Sequence, residues 1–320
     1  MSGYKLGIAA VVVLVIIGGV AVILTRPHRG HIGPPTEATT GSGFMRPIAL
    51  TRTPHAFTPI AAGGGAGKIY IAAYNYLGKE APGRTALHKI DSDPSPNKNP
   101  VILHLAAMIE DAAARGVLRR YILFGNGIPM PTVKHETAKR LEILTTAISD
   151  LGEVYLVTNH PHQAKIVFDA EMSFGYRLWI HGLLVDIRSA GLGAMSSATA
   201  GLKQIYSAGA LKNLAVRHEV DKFQHNLQTT TRKWVSKMRV IVVINPNPGD
   251  MANVVRHDED LSWKLAAINE LGFDRWATTS MGQRMAIDDF LKQLEHNPNR
   301  YIQQAAHNAL SLTAADMNEL

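Results

Sequence analysis

The sequence predicts an α/β fold. It would be a three-layer domain with a mostly parallel sheet and a helical C-terminal part, with one N-terminal transmembrane helix ahead of them. Three observations carry this expectation. Short apolar runs alternate with helix-period segments between residues 56 and 170, the order that builds a parallel sheet covered by helices. The runs are apolar throughout, as strands buried on both faces are. An uncharged stretch of 19 residues, Leu6 to Leu24, stands near the N-terminus.

That stretch reads LGIAAVVVLVIIGGVAVIL and as a helix would be about 28 Å long, close to the thickness of a bilayer core. A cleaved signal peptide is the alternative, with Gly19-Val20-Ala21 as the small residues at the cut. The continuation through Val22-Ile23-Leu24 favours an uncleaved anchor. Lys5 precedes the run, whereas Arg26, Arg29, Arg46 and Arg52 follow it with only Glu37 among them. This asymmetry favours a cytoplasmic body. The expected localisation is therefore a cell or organelle membrane, single-pass, with the lipid bilayer as partner through residues 6–24. Residues 1–25 form the anchor and 26–54 a flexible tether rich in Pro, Gly, Thr and Arg. Residues 55–250 form the α/β, nucleotide-binding-like domain, and 251–320 a helical extension.

Within the domain, strands are expected at 57–62, 85–90, 121–124, 154–157 and 239–244. The last (RVIVVI) is dominated by β-branched residues. Ile69–Leu77 and Leu178–Ile187 read as strand or helix. Helical periods fall at 101–115, at 132–151 with Gly152 as a stop, from Gln163 onward, and through most of 196–238 with a break near Gly209. Further helices are expected at about 253–271, 282–296 and 299–310. The sheet and its flanking helices together suggest a Rossmann-like arrangement.

The chain has 320 residues, a formal charge of +7 and no cysteine. Disulfides, thiolate metal sites and Cys nucleophiles are thereby excluded. The basic balance suits anionic surfaces, but there is no run of five or six Lys/Arg. Specific nucleic-acid binding is not expected.

The candidate binding site is the glycine run Gly63, Gly64, Gly65, Ala66 and Gly67, followed by Lys68. Between a strand and a helix, such a loop could cradle a phosphate on backbone N–H groups. It is not a Walker A loop, because Ala62 and Ile69 stand where Gly and Ser/Thr are needed. It is not GxGxxG either, because Lys68 replaces the last glycine. Asp91 and Asp93 follow a predicted strand and would meet a ribose or a hydrated metal; turn formation is their alternative. Gly125, Asn126 and Gly127 follow the predicted strand Tyr121–Phe124. Weaker candidates have plainer readings. His160 and His162 flank Pro161 but lack a nearby carboxylate, so no metal site is assigned. His257-Asp258-Glu259-Asp260 suits the first turn of a helix. Ser196 lacks the glycines of a nucleophile elbow.

Across residues 56 to 160, the glycine loop after the first strand, the Ile90-Asp91-Ser92-Asp93 strand end and the Gly125-Asn126-Gly127 turn resemble the tubulin/FtsZ-like GTP-binding superfamily. The family's second glycine loop would fall at GNGIPMPT, residues 125–132, where two prolines interrupt it. The family's acidic catalytic loop is not placed; Asp186 and Asp250 are candidates for it on no motif evidence. The resemblance implies GTP or another nucleotide as ligand, with self-association into filaments. Two functions follow as expectations. One is a membrane-anchored nucleotide-binding protein, divergent from that superfamily. The other is a membrane-anchored structural or scaffold protein without catalysis. Catalytic residues are not assigned, and whether the chain is an enzyme is left open.

Overall fold

The structure, a computed structural model, describes residues 66–80, 95–115, 134–207, 210–239, 241 and 247–313. All of them lie in the compact unit Gly43–Leu320. Ten α-helices occur among them: α1 (Ala66–Glu80), α2 (Pro100–Ala114), α3 (Lys134–Val157), α4 (Pro161–His181), α5 (Val185–Ser207), α6 (Leu214–Met238), α7 (Pro248–His257), α8 (Leu261–Ala277), α9 (Met281–Leu294) and α10 (Arg300–Ser311). A single 3-10 turn, Pro96–Lys98, leads into α2.

This architecture overturns the α/β expectation. Among the described residues there is no strand and no sheet. The predicted strand 154–157 is the last turn of α3. Of 239–244, the described Arg239 and Ile241 extend α6 in a π-helical turn. The segments 57–62, 85–90 and 121–124 lie outside the described residues. So do the apolar run 6–24 and the proposed tether; among the described residues, no helix is long and apolar enough to cross a membrane.

Packing explains why Val154–Val157 is helical. Ala147, Ile148, Leu151, Val154 and Tyr155 are all buried, and their spacing of three and four residues puts them on one side of a helix. Gly152 does not stop α3. A Cβ there would come within 2.6 Å of the Phe168 ring, so glycine makes room for an aromatic from α4. The true stop is Asn159, whose φ of 63° is the left-handed conformation that ends many helices. The His160 amide then donates to the Tyr155 carbonyl at 2.7 Å, and Pro161 opens α4 where a missing N–H costs nothing.

At the centre, α4 and α5 share the most extensive helix–helix contact. Their backbones nearly touch: a Cβ on Gly191 would lie 2.6 Å from the Gly175 carbonyl oxygen and 2.7 Å from the Trp179 nitrogen. Nearly three turns further along α5, the Phe168 ring occupies the space that a side chain at Gly201 would need. The ring is thus held between a glycine of α3 and one of α5. Helices α1 and α2 pair with each other, and α2 also rests on α4. Arg177 of α4 donates to the carbonyls of Ala112 (3.1 Å) and Ala113 (2.6 Å), satisfying the open C-terminus of α2.

Beyond the bundle, α6 lies along α5, and α7–α10 pack mainly around α8. Asparagine and aspartate start most of these helices. Asn213, Asn247, Asp260 and Asn299 each accept a hydrogen bond from a first-turn N–H, and Asn99 does so for α2. The acidic run 257–260, expected in the first turn of a helix, instead divides the helix expected at about 253–271: His257 ends α7 and Asp260 caps α8.

Candidate functional site

The structure does not gather the predicted nucleotide-site residues. Gly63, Gly64, Gly65, Asp91, Asp93, Gly125, Asn126 and Gly127 lie outside the described residues. Ala66, Gly67 and Lys68 form the first turn of α1: Ala66 and Gly67 are buried, and Lys68 is exposed. A helix does open within the glycine run, but no strand among the described residues leads into it. Asp186 and Asp250 are exposed residues in the first turns of α5 and α7. Ser196 is an exposed position within α5. His160 sits in the α3–α4 turn with Nδ1 3.1 Å from Thr158 Oγ1, and His162 is exposed on α4. Among the described residues, no three His, Asp or Glu side chains are grouped to hold a metal ion.

What the fold brings together instead are three arrangements. The first is a largely buried polar cluster where α3, α4 and α5 meet. Glu171 is 0% exposed. Ser149 Oγ donates to its Oε1 at 2.5 Å, and Ser197 Oγ lies 2.6 Å from Ser149 Oγ. Oε2 is buried without a hydrogen bond among the described residues. Burial raises the carboxyl pKa well above its usual value; the Ser149 and Ser197 hydrogen bonds oppose this, and the charges of Glu153 and Asp150 add to it. The trio joins three helices through these side-chain hydrogen bonds.

The second is an aromatic junction. Trp234 of α6 stands between Trp179 of α4 and Trp263 of α8, with ring centroids 4.8 Å and 4.3 Å apart. Its indole N–H donates to Ser189 Oγ at 2.9 Å. Arg188 lies over both Trp179 and Trp234 and pairs with Asp260 at 2.6 Å. Lys237 covers Trp263 and pairs with Asp258 at 2.5 Å. Each of these cations meets both a ring face and a carboxylate, contacts that reinforce each other in a partly dry setting. The junction ties the four-helix C-terminal group to the bundle.

The third is the outer face of α6. Val220, Phe223, Leu227 and Trp234 are buried. Arg217, His218, Lys222, His225, Gln228, Arg232 and Lys233 are exposed. At 100° per residue the two sets fall on opposite sides of the helix. Sequence reasoning missed all three arrangements. An acid flanked by apolar residues (IVFDAEMSF, residues 166–174) was the available signal for Glu171. The helical period of the cations was the signal for α6.

No known protein family matches the chain, and neither a curated protein nor a solved structure does.

Proposed function

We propose that the helical body is a non-catalytic scaffold that holds one basic helix, α6, out toward a macromolecular partner. The observation that carries this reading is how α6 is mounted. One apolar stripe and the Trp234 junction fix it to α5 and α8, while among the described residues the central cation line of its outer face makes no ion pair except the Asp221–Lys203 contact at 3.0 Å. Attachment to a bilayer through residues 6–24 belongs to the same proposal and rests on the apolar sequence alone; release of the full chain by alkaline carbonate would refute it.

Nucleotide binding is the second reading. It is favoured by the start of α1 at Ala66, within the glycine run. One experiment separates the two: thermal unfolding of the full chain with millimolar GTP, ATP or NAD. A ligand at a hundred times its Kd would stabilise the protein by about 2.7 kcal/mol, a shift of several degrees. The scaffold reading expects no shift with any of the three. A clear shift with one of them overturns it.

A further inference from the structure

We propose that the outer face of α6 binds the phosphate backbone of double-stranded nucleic acid without regard to base sequence. The inference rests on the scaffold reading and names its partner. Arg217, Lys222, Arg232 and Lys233 are exposed on that face and form no ion pair among the described residues. From Arg217 to Lys233 the helix rises about 24 Å, so the cations form a line and not a spot. His218 and His225 lie between them on the same face, with exposed Gln228 as a further donor.

Acids nearby have two fates. Asp221 falls within the line, but Lys203 of α5 neutralises it at 3.0 Å. Glu219 is exposed at the margin, three residues from Lys222, and offsets part of that charge. The linear sequence has no basic run, since the cations are separated by polar and apolar residues. The helical period assembles them.

The chemistry favours duplex phosphate over a lipid surface. Helices that lie on bilayers insert apolar and aromatic side chains. The aromatics of α6, Phe223 and Trp234, are turned inward and buried, and its exposed large apolar residue, Leu214, stands at the N-terminal end. A helix about 10–12 Å across matches a major groove about 12 Å wide, flanked by two lines of phosphates. Cations along such a helix gain affinity by releasing counterions, which carries no sequence information.

The test is fluorescence anisotropy of a labelled 20-base-pair duplex of arbitrary sequence, titrated with the full chain across a series of salt concentrations. Four phosphate contacts give a log–log salt slope of about −3.6. Affinity should then fall about a hundredfold between 50 and 200 mM salt. The double variant Arg232→Gln/Lys233→Gln should lower the slope to about −1.8. A control pair away from the face, Lys98→Gln/Lys292→Gln, should leave it unchanged. Circular dichroism establishes that both variants keep their helix. No duplex binding overturns the inference, as does a slope that responds equally to both pairs. Anionic vesicles that bind more tightly than duplex at equal phosphate, and lose binding in the α6 variant, also overturn it by assigning the face to lipid. Failure here with no nucleotide shift removes this partner and leaves the scaffold standing. A nucleotide shift removes the scaffold whatever the duplex does.

Discussion

Replacing Glu171 with glutamine should make the protein progressively more stable than wild type as pH rises. The carboxyl is 0% exposed, and only Oε1 has a hydrogen-bonding partner among the described residues, Ser149 at 2.5 Å. Burial first, and then the nearby Glu153 and Asp150 charges, hold its folded pKa well above 4.5. In the unfolded chain the same group ionises near that ordinary value. Below it both states carry the proton, and the full stability is present. Between the two pKa values the folded state holds one proton more, so wild-type stability falls as pH rises, by up to about 1.4 kcal/mol per pH unit. Glutamine has no such proton to lose. Its Oε1 still accepts from Ser149, while its buried amide N–H groups need acceptors and cost about 1–3 kcal/mol. That cost is a constant offset. The pH-dependent part separates from it in urea midpoints of both proteins at pH 5, 6 and 7, converted with the measured m-values. Asp169 and Asp274, whose pKa values burial also raises, are present in both proteins and cancel. The expected result is a difference moving steadily in favour of Glu171→Gln. A difference constant across pH, or one moving toward wild type, would refute the reasoning.

Three further outcomes test the packing. Gly191→Leu drives a side chain into the Gly175 carbonyl, 2.6 Å from its Cβ position, and should cost about 3 kcal/mol or more in urea unfolding. Phe168→Ala should cost about 3–5 kcal/mol. Adding Gly201→Ala should recover part of that loss, because the new methyl enters space the ring has left. Asp260→Ala removes both the cap of α8 and the partner of Arg188, with about 1 kcal/mol from the cap alone. Asp260→Asn keeps the cap and loses only the charge pair, so thermal unfolding of the two variants divides the contributions.

The helical C-terminal part was legible because its signals are local. The helices expected at about 282–296 and 299–310 occur as α9 and α10, whereas the one expected at about 253–271 is divided into α7 and α8, with Asp260 as the cap of α8. The strand at 154–157 was misread because four apolar residues in a row fit either a buried strand or a buried helical turn. What decides between them is the run of buried positions reaching back to Ala147, whose continuity Gly152 seemed to break. Gly152 is a glycine for a reason seven helical turns of chain cannot reveal: Phe168, on the next helix, needs the volume. The same holds for Gly175 and Gly191, which look like helix breakers in the sequence and serve as the closest contact between α4 and α5.

The candidate sites differ in the same way. Trp179, Trp234 and Trp263 are far apart in the chain, and nothing local marks them as one stack. Their meeting depends on how α4, α6 and α8 cross. The basic face of α6 needs no tertiary information beyond one fact, that residues 214–238 are a helix. Given that, Arg217, Lys222, Arg232 and Lys233 fall on one side and Val220, Phe223, Leu227 and Trp234 on the other. The two faces are physically dependent. Burying the apolar stripe against the bundle is what fixes the helix, and a fixed helix holds its cations in line before a partner arrives. Less conformational entropy is then lost on binding. Loosening the stripe by Phe223→Ala should therefore weaken duplex binding although Phe223 touches no phosphate. If that variant keeps its helix content and wild-type affinity, the mounting of α6 is unrelated to its charge.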